Sequence, residues 1–113
     1  MLRPQRADLV LKTRLALSGV EGVKEKKMFG SVAFMANGRM FMSARASRIM
    51  CRVDPRMYDE LLRTKACQPM RMKGREYKGF IVVEAKYLIS QSQLKYWIDL
   101  ALEFNSTVAA KGR

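Results

Sequence analysis

The spacing of apolar residues changes along the chain, and each spacing predicts a different kind of element. A first helix is predicted over residues 7–18, where apolar residues recur at helical intervals and Ser18-Gly19 supplies a stop. The apolar side of this helix is expected to consist of Ala7, Val10, Leu11, Leu15 and Leu17. The charged run 24–27 that follows is compatible with a solvated connector or with a weak edge strand.

Between Met28 and Val53 the spacing falls to two, which is the period of a β-strand. Apolar runs occupy residues 31–36, 39–44 and 48–53. Asn37-Gly38 separates the first two runs, and this dipeptide favours a two-residue type I′ turn because both of its residues accept positive φ. We therefore expect three consecutive antiparallel strands.

A second helix is predicted to start at Asp54-Pro55. The aspartate side chain can cap free backbone N–H groups, and a proline at the first helical position loses no hydrogen bond. Pro69 limits how far this helix can extend. Its apolar stripe contains Met57, Tyr58, Leu61 and Leu62.

A second hairpin and a last helix complete the predicted elements. Residues 70–73 and 78–84 flank a turn that contains Gly74, and the second run is rich in β-branched residues. Ser90 and Gln93 fit a capping box, in which each side chain accepts from the other's backbone N–H. The inward side of the last helix is expected to carry Leu94, Trp97, Ile98, Ala101, Phe104, Asn105 and Val108.

The predicted order of elements is helix, three strands, helix, two strands, helix, which indicates the α+β class. Because the strands lie mostly in hairpins, we expect an antiparallel sheet with the helices on one face, in two layers. No repeat, low-complexity block or long linker divides the 113 residues. We expect one domain over residues 1–113, with a core from about 8 to 108 and short frayed termini.

The residue types argue against most kinds of catalysis. The chain has no histidine, which excludes a histidine-based triad and histidine metal ligands. Its ten carboxylates show no spacing typical of a metal site or of an acid–base pair, and its glycines form no phosphate-binding motif. Cys51 and Cys67 are expected to be reduced thiols. We expect no catalytic residue, no metal and no cofactor; an enzyme that uses a lysine is the remaining alternative.

Neither a signal peptide nor a membrane span is visible in the sequence. The first residues lack an apolar stretch of signal-peptide length, and no run reaches the ~18 apolar residues of a membrane helix. We therefore expect a cytoplasmic protein with no membrane partner and no evident small-molecule substrate.

Positive charge is the main indication of a binding function. The formal net charge is +12, and residues 39–78 carry eleven basic and four acidic side chains. Because side chains alternate along a strand, several basic residues of each strand point to the same side. If these sides lie on the same face of the sheet, that face is basic and suited to single-stranded nucleic acid. A merely well-charged soluble surface is the alternative. The expected groups are Arg39, Phe41, Ser43 and Arg45 on one strand, Arg48, Met50 and Arg52 on the next, and Arg71, Lys73 and Arg75 on another.

The basic residues of these groups are the candidate contacts to nucleic acid or to an acidic partner. Self-association is a separate expectation, because Tyr96, Leu100 and Leu102 lie outside the stripe that is predicted to pack the core. A helix that is apolar on two faces often contacts a second subunit, so these three residues are the candidate homodimer contacts. The eight internal methionines fit core filling, with adaptable partner binding as the alternative.

Several short motifs resemble the TfoX N-terminal domain family. The segment Met28-Phe29-Gly30-Ser31 is similar to the start of the family signature, MFGG, and Asn37-Gly38-Arg39-Met40 is similar to the hairpin turn that follows it. Ser31 stands where the family has its second motif glycine. The resemblance covers roughly residues 8–108. Other similar segments are Arg52-Val53-Asp54-Pro55, Tyr58 to Leu62, Gln68-Pro69-Met70, Lys78-Gly79-Phe80 and the helix from Trp97 to Phe104.

The resemblance implies a secretion-chaperone-like α+β fold, helix-β3-helix-β2-helix, in a stand-alone single-domain member. The family is named for a regulator of natural competence that acts on transcription with the cyclic-AMP receptor protein, and this domain has no established catalytic residues. The resemblance therefore implies a non-enzymatic regulatory or adaptor module in the bacterial cytoplasm. Its partner would be a protein of the transcription machinery or a nucleic acid. The alternative is a homodimeric, chaperone-like protein-interaction module without nucleic-acid binding.

Overall fold

The computed structural model describes residues 9–28 and 30–111 of the chain. Three α-helices and six strands follow one another within these residues, and a 3₁₀ turn at Ala85–Tyr87 joins the last strand to the last helix. In chain order the elements are α1 (Leu9–Ala16), β1 (Lys24–Met28), β2 (Ser31–Ala36), β3 (Arg39–Ala44), β4 (Arg48–Arg52), α2 (Pro55–Leu62), β5 (Gln68–Met72), β6 (Arg75–Glu84) and α3 (Gln91–Lys111).

The six strands form one antiparallel sheet in the order β1-β2-β3-β4-β6-β5. The predicted α+β class and antiparallel sheet are therefore confirmed. The charged run that fitted either a connector or an edge strand forms β1, so the sheet has one strand more than the predicted order. All five residues of β1 are exposed, and three of them are lysines. This strand lacks the apolar alternation by which the others are recognised.

Tight turns close both hairpins that the sequence predicts. Asn37 and Gly38 have φ of 54° and 75°, and Lys73 and Gly74 have φ of 53° and 78°. Positive φ at both central residues is what a type I′ turn requires. The turn at Asn37-Gly38 is therefore confirmed. The second hairpin is longer than predicted, because β6 begins directly after its turn, at Arg75.

Replacement of Gly38 by alanine is expected to lower the free energy of unfolding by about 1–2 kcal/mol, because an L-residue at positive φ is strained. A Cβ added at Gly38 meets no atom within 4 Å, so the cost comes from the backbone. Gly19→Ala is the matched control, since Gly19 has the same open space and no positive φ. Urea denaturation followed by circular dichroism measures both, and equal stability of the two variants would contradict the turn.

A β-bulge in β3 changes which side chains reach the core. The pairing of β2 with β3 shifts register between Phe34 and Met35, which leaves Phe41 as an extra residue in β3. Phe41 and Met42 are both buried, at 1% and 0% exposure. The prediction that Phe41 shares a side with Ser43 was therefore wrong, because a bulge interrupts simple alternation.

The helices cover one face of the sheet. Buried and half-buried residues alternate along β4 and along the second half of β6, as expected when only one face is covered. α1 packs against β3, α3 packs against β3 and β4, and α2 lies against β6. The sheet contributes to the buried core the side chains Val32, Phe34, Ala36, Phe41, Met42, Ala44, Ile49, Cys51, Ile81 and Val83.

α3 begins with the predicted capping box. The backbone N–H of Ser90 donates to Gln93 Oε1 at 2.9 Å, and the backbone N–H of Gln93 donates to Ser90 Oγ at 3.1 Å. The reciprocal pair satisfies two N–H groups that the helix start would leave open. The residues of α3 that are buried are Leu94, Trp97, Ile98, Ala101 and Asn105.

Asn105 is a buried polar residue that ties α3 to the first hairpin. Its Nδ2 donates to the carbonyl of Ala36 at 3.0 Å, and its Oδ1 accepts from Asn37 Nδ2 at 2.8 Å. Buried polar groups are stable only when they are hydrogen-bonded in this way. The contact fixes the second half of α3 against the β2–β3 turn.

The start of α2 agrees with the sequence, whereas the buried face of α1 does not. Asp54 Oδ1 accepts from the backbone N–H of Arg56 at 2.9 Å, which confirms the predicted cap. On α1 the expected face was wrong in part: Leu17 is buried and Val10 packs partly buried against the core, but Leu11 and Leu15 are 50% and 64% exposed. The buried stripe consists of Leu9, Thr13 and Leu17, four residues apart, and an apolar pattern does not reveal it because Thr13 is polar. Residues 7 and 8, where this helix was predicted to begin, lie outside the described residues.

Candidate functional site

A row of paired residues crosses the face of the sheet that the helices leave open. Partners in an antiparallel register point to the same side of the sheet. Ser43, Met50 and Val82 alternate with the buried residues of their strands, which places the row on the open face. From one edge to the other the row is Lys26, Ala33, Ser43, Met50, Val82 and Gln68.

A hollow of about 590 Å³ lies on this open face. We call it the open-face hollow. Its lining combines apolar, hydroxyl and amide groups with three arginines, so it offers both contact area and positive charge. The side chains that line it are Ser31, Ser43, Arg45, Arg48, Met50, Gln68, Pro69, Met70, Arg71, Met72 and Val82.

The connection between β3 and β4 brings Arg45 and Arg48 to the hollow. The backbone N–H of Arg45 donates to the carbonyl of Arg48 at 2.9 Å, which holds the two residues opposite each other. A Cβ added at Gly30 would lie 3.3 Å from Arg45 Nη1, so the glycine leaves space for this guanidinium. In the described parts of the chain neither arginine side chain has an ion-pair partner. Both guanidinium groups are therefore available to an anion.

Arg71 reaches the hollow from the second hairpin and is held there by two neighbours. Its Nη2 lies 3.0 Å from Glu76 Oε2, and the hydroxyl of Tyr58 donates to Glu76 Oε1 at 3.4 Å. Burial, assisted by the charge of Glu76, raises the pKa of Tyr58, which keeps this hydroxyl a donor. The chain of contacts connects α2 to the hairpin. Because the ion pair is exposed, it orients Arg71 at little energetic gain and leaves it accessible.

A second basic hollow, of about 470 Å³, adjoins the first. Arg45 and Arg48 line both, and Ser47, Glu84 and Lys86 complete the second. The Glu84 carboxylate lies 4.0 Å from Lys86 Nζ, so one of its neighbours balances its charge. The two hollows form a continuous basic surface. Lys86 was not among the predicted contacts, because it belongs to a 3₁₀ turn that the sequence pattern does not predict.

Arg52, another predicted contact residue, is held against aromatic rings. Its Cζ lies 5.9 Å from the ring centre of Phe80 and 5.5 Å from that of Phe104. Both contacts are cation–π interactions, and the side chain is half-buried. Arg52 does not line the open-face hollow.

Arg39, Lys73 and Arg75 also lie away from the open-face hollow. Arg39 stands beside the β2–β3 turn and pairs with Ala36, on the far side of the bulge from Arg45. Lys73 lies in the turn of the second hairpin and Arg75 starts the next strand. The expectation that they share one strand side with Arg71 was wrong, because the chain reverses direction between them. The structure thus brings three of the seven predicted contacts together.

The three predicted self-association residues point to different places on α3. Tyr96 is 52% exposed and stands edge-on to Trp97, with ring centres 4.9 Å apart. Leu100 is half-buried and lines a hollow beside α2, whereas Leu102, also half-buried, lines a groove beside α1. They do not form one continuous patch.

The groove between α1 and α3, about 440 Å³ in volume, is mostly apolar. We call it the helix groove. Leu15 and Ile89 stand along it at 64% and 76% exposure. Lys95 Nζ lies 2.7 Å from Asp99 Oδ2 at its rim. This groove was not predicted, because the helical spacing of Leu15 had placed it in the core. The full lining is Lys12, Leu15, Ala16, Val20, Leu88, Ile89, Ser90, Gln91, Leu94, Lys95, Ile98, Asp99 and Leu102.

Among the described residues, the thiols and carboxylates show no arrangement typical of a catalytic or metal site. Cys51 and Cys67 are free and buried, and burial raises the pKa of both thiols, that of Cys51 far above its ordinary value. A thiol that stays protonated is a poor nucleophile. Residues 9–28 and 30–111 contain no group of three or more cysteine, aspartate and glutamate side chains that could hold a metal. No helix in the same residues has the length and apolar character needed to cross a bilayer.

Fold and surface together define a small α+β domain with one helix-covered face and one open, basic face. The family model described as the TfoX N-terminal domain matches residues 16–105, and the chain belongs to this family. The family is non-catalytic, and membership supports a module of the regulatory or adaptor type. Comparisons with curated proteins and with solved structures gave no match.

Proposed function

We propose that this protein is a non-enzymatic regulatory adaptor that binds the phosphate backbone of nucleic acid through the open face of its sheet. The proposal rests on the positively charged side chains that are concentrated on that face. Arg45, Arg48 and Arg71 line the open-face hollow, and the register places Lys24 and Lys26 on the same face of β1. A polyanion that follows this face can contact several of these groups at once.

Part of the acidic charge supports the same orientation, because it lies in the helical layer and away from the open sheet face. Asp59 and Glu60 lie on α2, and Asp99 and Glu103 lie on α3, all four exposed. Glu25 forms an ion pair with Arg14 of α1, whose Nε lies 2.7 Å from Glu25 Oε2. None of the described acidic residues lines the open-face hollow, so a polyanion that enters it meets only positive and neutral side chains.

Arginine is well suited to this role, because its planar guanidinium can bind one phosphate through two parallel hydrogen bonds. Phosphate contacts fix position but do not read sequence, so the preference for sequence is expected to be slight. In this proposal the helical layer remains free while nucleic acid is bound. That layer could then contact a protein of the transcription machinery, which is the regulatory link we propose.

A salt titration tests this function. Anisotropy of a labelled oligonucleotide of about 20 nucleotides, at roughly 50–200 mM salt, should show log K falling linearly with log salt at a slope of about −2 to −4, as three to five phosphates release counterions. A flat dependence would contradict phosphate binding. No binding at about 100 μM protein, well above ordinary non-specific dissociation constants, would contradict the function itself.

A second candidate function, a homodimeric protein-interaction module, is favoured by the helix groove. Leu15 and Ile89 expose apolar surface on both of its sides, and a second copy would remove that surface from water. The rim carries Lys95 and Asp99, whose charges balance each other at 2.7 Å and therefore do not repel a second copy. The helix groove is a better candidate interface than Tyr96 and Leu100, which lie outside it.

Sedimentation velocity tests the second candidate. We expect the unmodified protein to dimerise at tens of micromolar and Ile89→Lys to be monomeric, since a charge in an apolar interface is costly. Leu11→Lys is the control, because Leu11 is also half-exposed on α1 but does not line the helix groove. A monomeric unmodified protein at high micromolar concentration would remove this candidate and leave the first untouched.

A further inference from the structure

The open-face hollow contains more than phosphate binding requires. Three methionines and Val82 give it an apolar lining, while a charged groove for phosphates alone would need only its arginines. The row across the sheet explains the depression. Ala33 and Ser43 are small, and the side chains Met50 and Val82 beside them are half-buried. A flat group can therefore lie against these side chains.

An unpaired nucleotide has the chemical groups that the side chains of this hollow can bind. Its base is a flat aromatic ring, and its phosphates follow on either side. Methionine sulfur makes favourable contacts with aromatic rings, and the flexible thioether side chain adapts to rings of different size. In a duplex the faces of the bases are stacked on one another and unavailable. The hollow therefore favours single strands.

The polar groups in the hollow favour a base over an apolar amino-acid side chain. Ser31, Ser43 and Gln68 line it beside the methionines, and each can hydrogen-bond to the edge of a base. An acidic peptide with an apolar anchor would satisfy the arginines and the methionines. Its apolar anchor has no polar edge to offer the two hydroxyls and the amide, whereas the edge of a base brings donors and acceptors to them while its face covers the methionines.

We propose that the open-face hollow binds an unpaired base of single-stranded nucleic acid against Met50, Met70 and Met72, while Arg45, Arg48 and Arg71 hold the adjacent phosphates. The methionines take the place that aromatic side chains occupy in other single-strand binding surfaces. This inference rests on the proposed function and deepens it, because it names the form of nucleic acid that is bound.

Three labelled probes of about 20 nucleotides test the inference by anisotropy at one salt concentration: a single strand of mixed sequence, its duplex, and the same strand with abasic sites along its length. We expect the single strand to bind about 10-fold more tightly than the other two, on the scale of one or two base contacts. The abasic strand keeps the phosphates and loses the bases. It therefore separates base contact from charge without any change to the protein.

A pair of matched variants locates the contact. Met70→Ala with Met72→Ala is expected to lower the affinity for the single strand about 5- to 10-fold and to leave duplex affinity and the salt slope unchanged. Met35→Ala with Met40→Ala is the control, since both residues are half-buried in the sheet and neither lines the hollow. Circular dichroism establishes that each variant is folded, and the three-probe comparison does not depend on any variant.

The outcomes separate this inference from the proposed function. Equal affinity for all three probes, with a steep salt dependence, would overturn base binding and leave phosphate binding in place. Failure of every probe to bind would overturn both. Displacement of the single strand by polyglutamate as effectively as by unlabelled oligonucleotide of equal charge would also overturn both, in favour of an acidic protein partner.

Discussion

Simultaneous replacement of Arg45, Arg48 and Arg71 by alanine is expected to weaken single-strand binding about 100-fold, which would be the largest effect of any surface change. Each guanidinium is expected to contact one phosphate, and a solvated contact of this kind contributes about 1 kcal/mol, so three contribute about 3 kcal/mol. The salt slope should also decrease in magnitude by about 2 units, because three fewer counterions are released. Anisotropy over the same salt range measures both quantities.

A charge-matched variant provides the control for this experiment. Replacing Lys12, Arg63 and Lys65 by alanine removes three positive charges from the same total of +12. These residues lie on α1 and at the end of α2, are exposed, and do not line the open-face hollow. We expect at most a few-fold loss of affinity from this change, through the general field of the protein. An equal loss in both variants would show that net charge alone determines binding.

The largest effect on stability is expected from Trp97→Ala, at about 3–5 kcal/mol of the free energy of unfolding. Trp97 is 5% exposed and belongs to the core between α3 and the sheet. Its loss leaves a cavity as well as removing buried apolar area. Because a domain of this size is stable by only about 5–15 kcal/mol, the variant should unfold at much lower urea concentration.

Tyr96→Ala is the control for Trp97→Ala. Tyr96 is the neighbouring residue, is also aromatic, and contacts the Trp97 ring, but 52% of it is exposed. Its replacement should cost about 1 kcal/mol, mostly through loss of the edge-on ring contact. Urea denaturation followed by circular dichroism compares the two variants without relying on the fluorescence of Trp97. Similar losses would contradict the position of α3 on the sheet.

Features that depend on a few adjacent residues follow directly from the sequence. The turn at Asn37-Gly38 requires positive φ at two successive positions, and few residue types accept it. The caps at Asp54 and at Ser90 are also local, because a side chain there bonds to backbone within three residues. Arg45 and Arg48 could be placed near each other for the same reason, since a short connection joins their strands.

Features that depend on distant parts of the chain could not be predicted. Nothing local to Phe41 indicates a bulge, because the shift arises from pairing with β2. The buried stripe of α1 is hidden by Thr13, a polar residue that only the packed helix reveals as buried. Even the existence of β1 depends on its partner strand, because the lysines of this strand give no apolar alternation.

The open-face hollow combines a part that could be predicted from the sequence with a part that could not. Arg71 approaches Arg45 and Arg48 only because β6 pairs with β4 and places β5 at the edge of the sheet. That pairing joins segments separated by α2, which a sequence pattern does not specify. The location of the second turn mattered as much, since it separates Lys73 and Arg75 from Arg71. The sequence could therefore predict that the strands form a basic face, but it could not predict which residues belong to that face.

The most direct test of the central claim is a map of amide chemical-shift changes in the ¹⁵N-labelled protein during titration with a single-stranded oligonucleotide. The account predicts that the shifts concentrate on the open sheet face, at Ser43, Arg45, Arg48, Met50 and β5. Amides of α1 and of the first half of α3 should remain unchanged. Shifts confined to the helix groove, or no shifts at saturating oligonucleotide, would contradict the account.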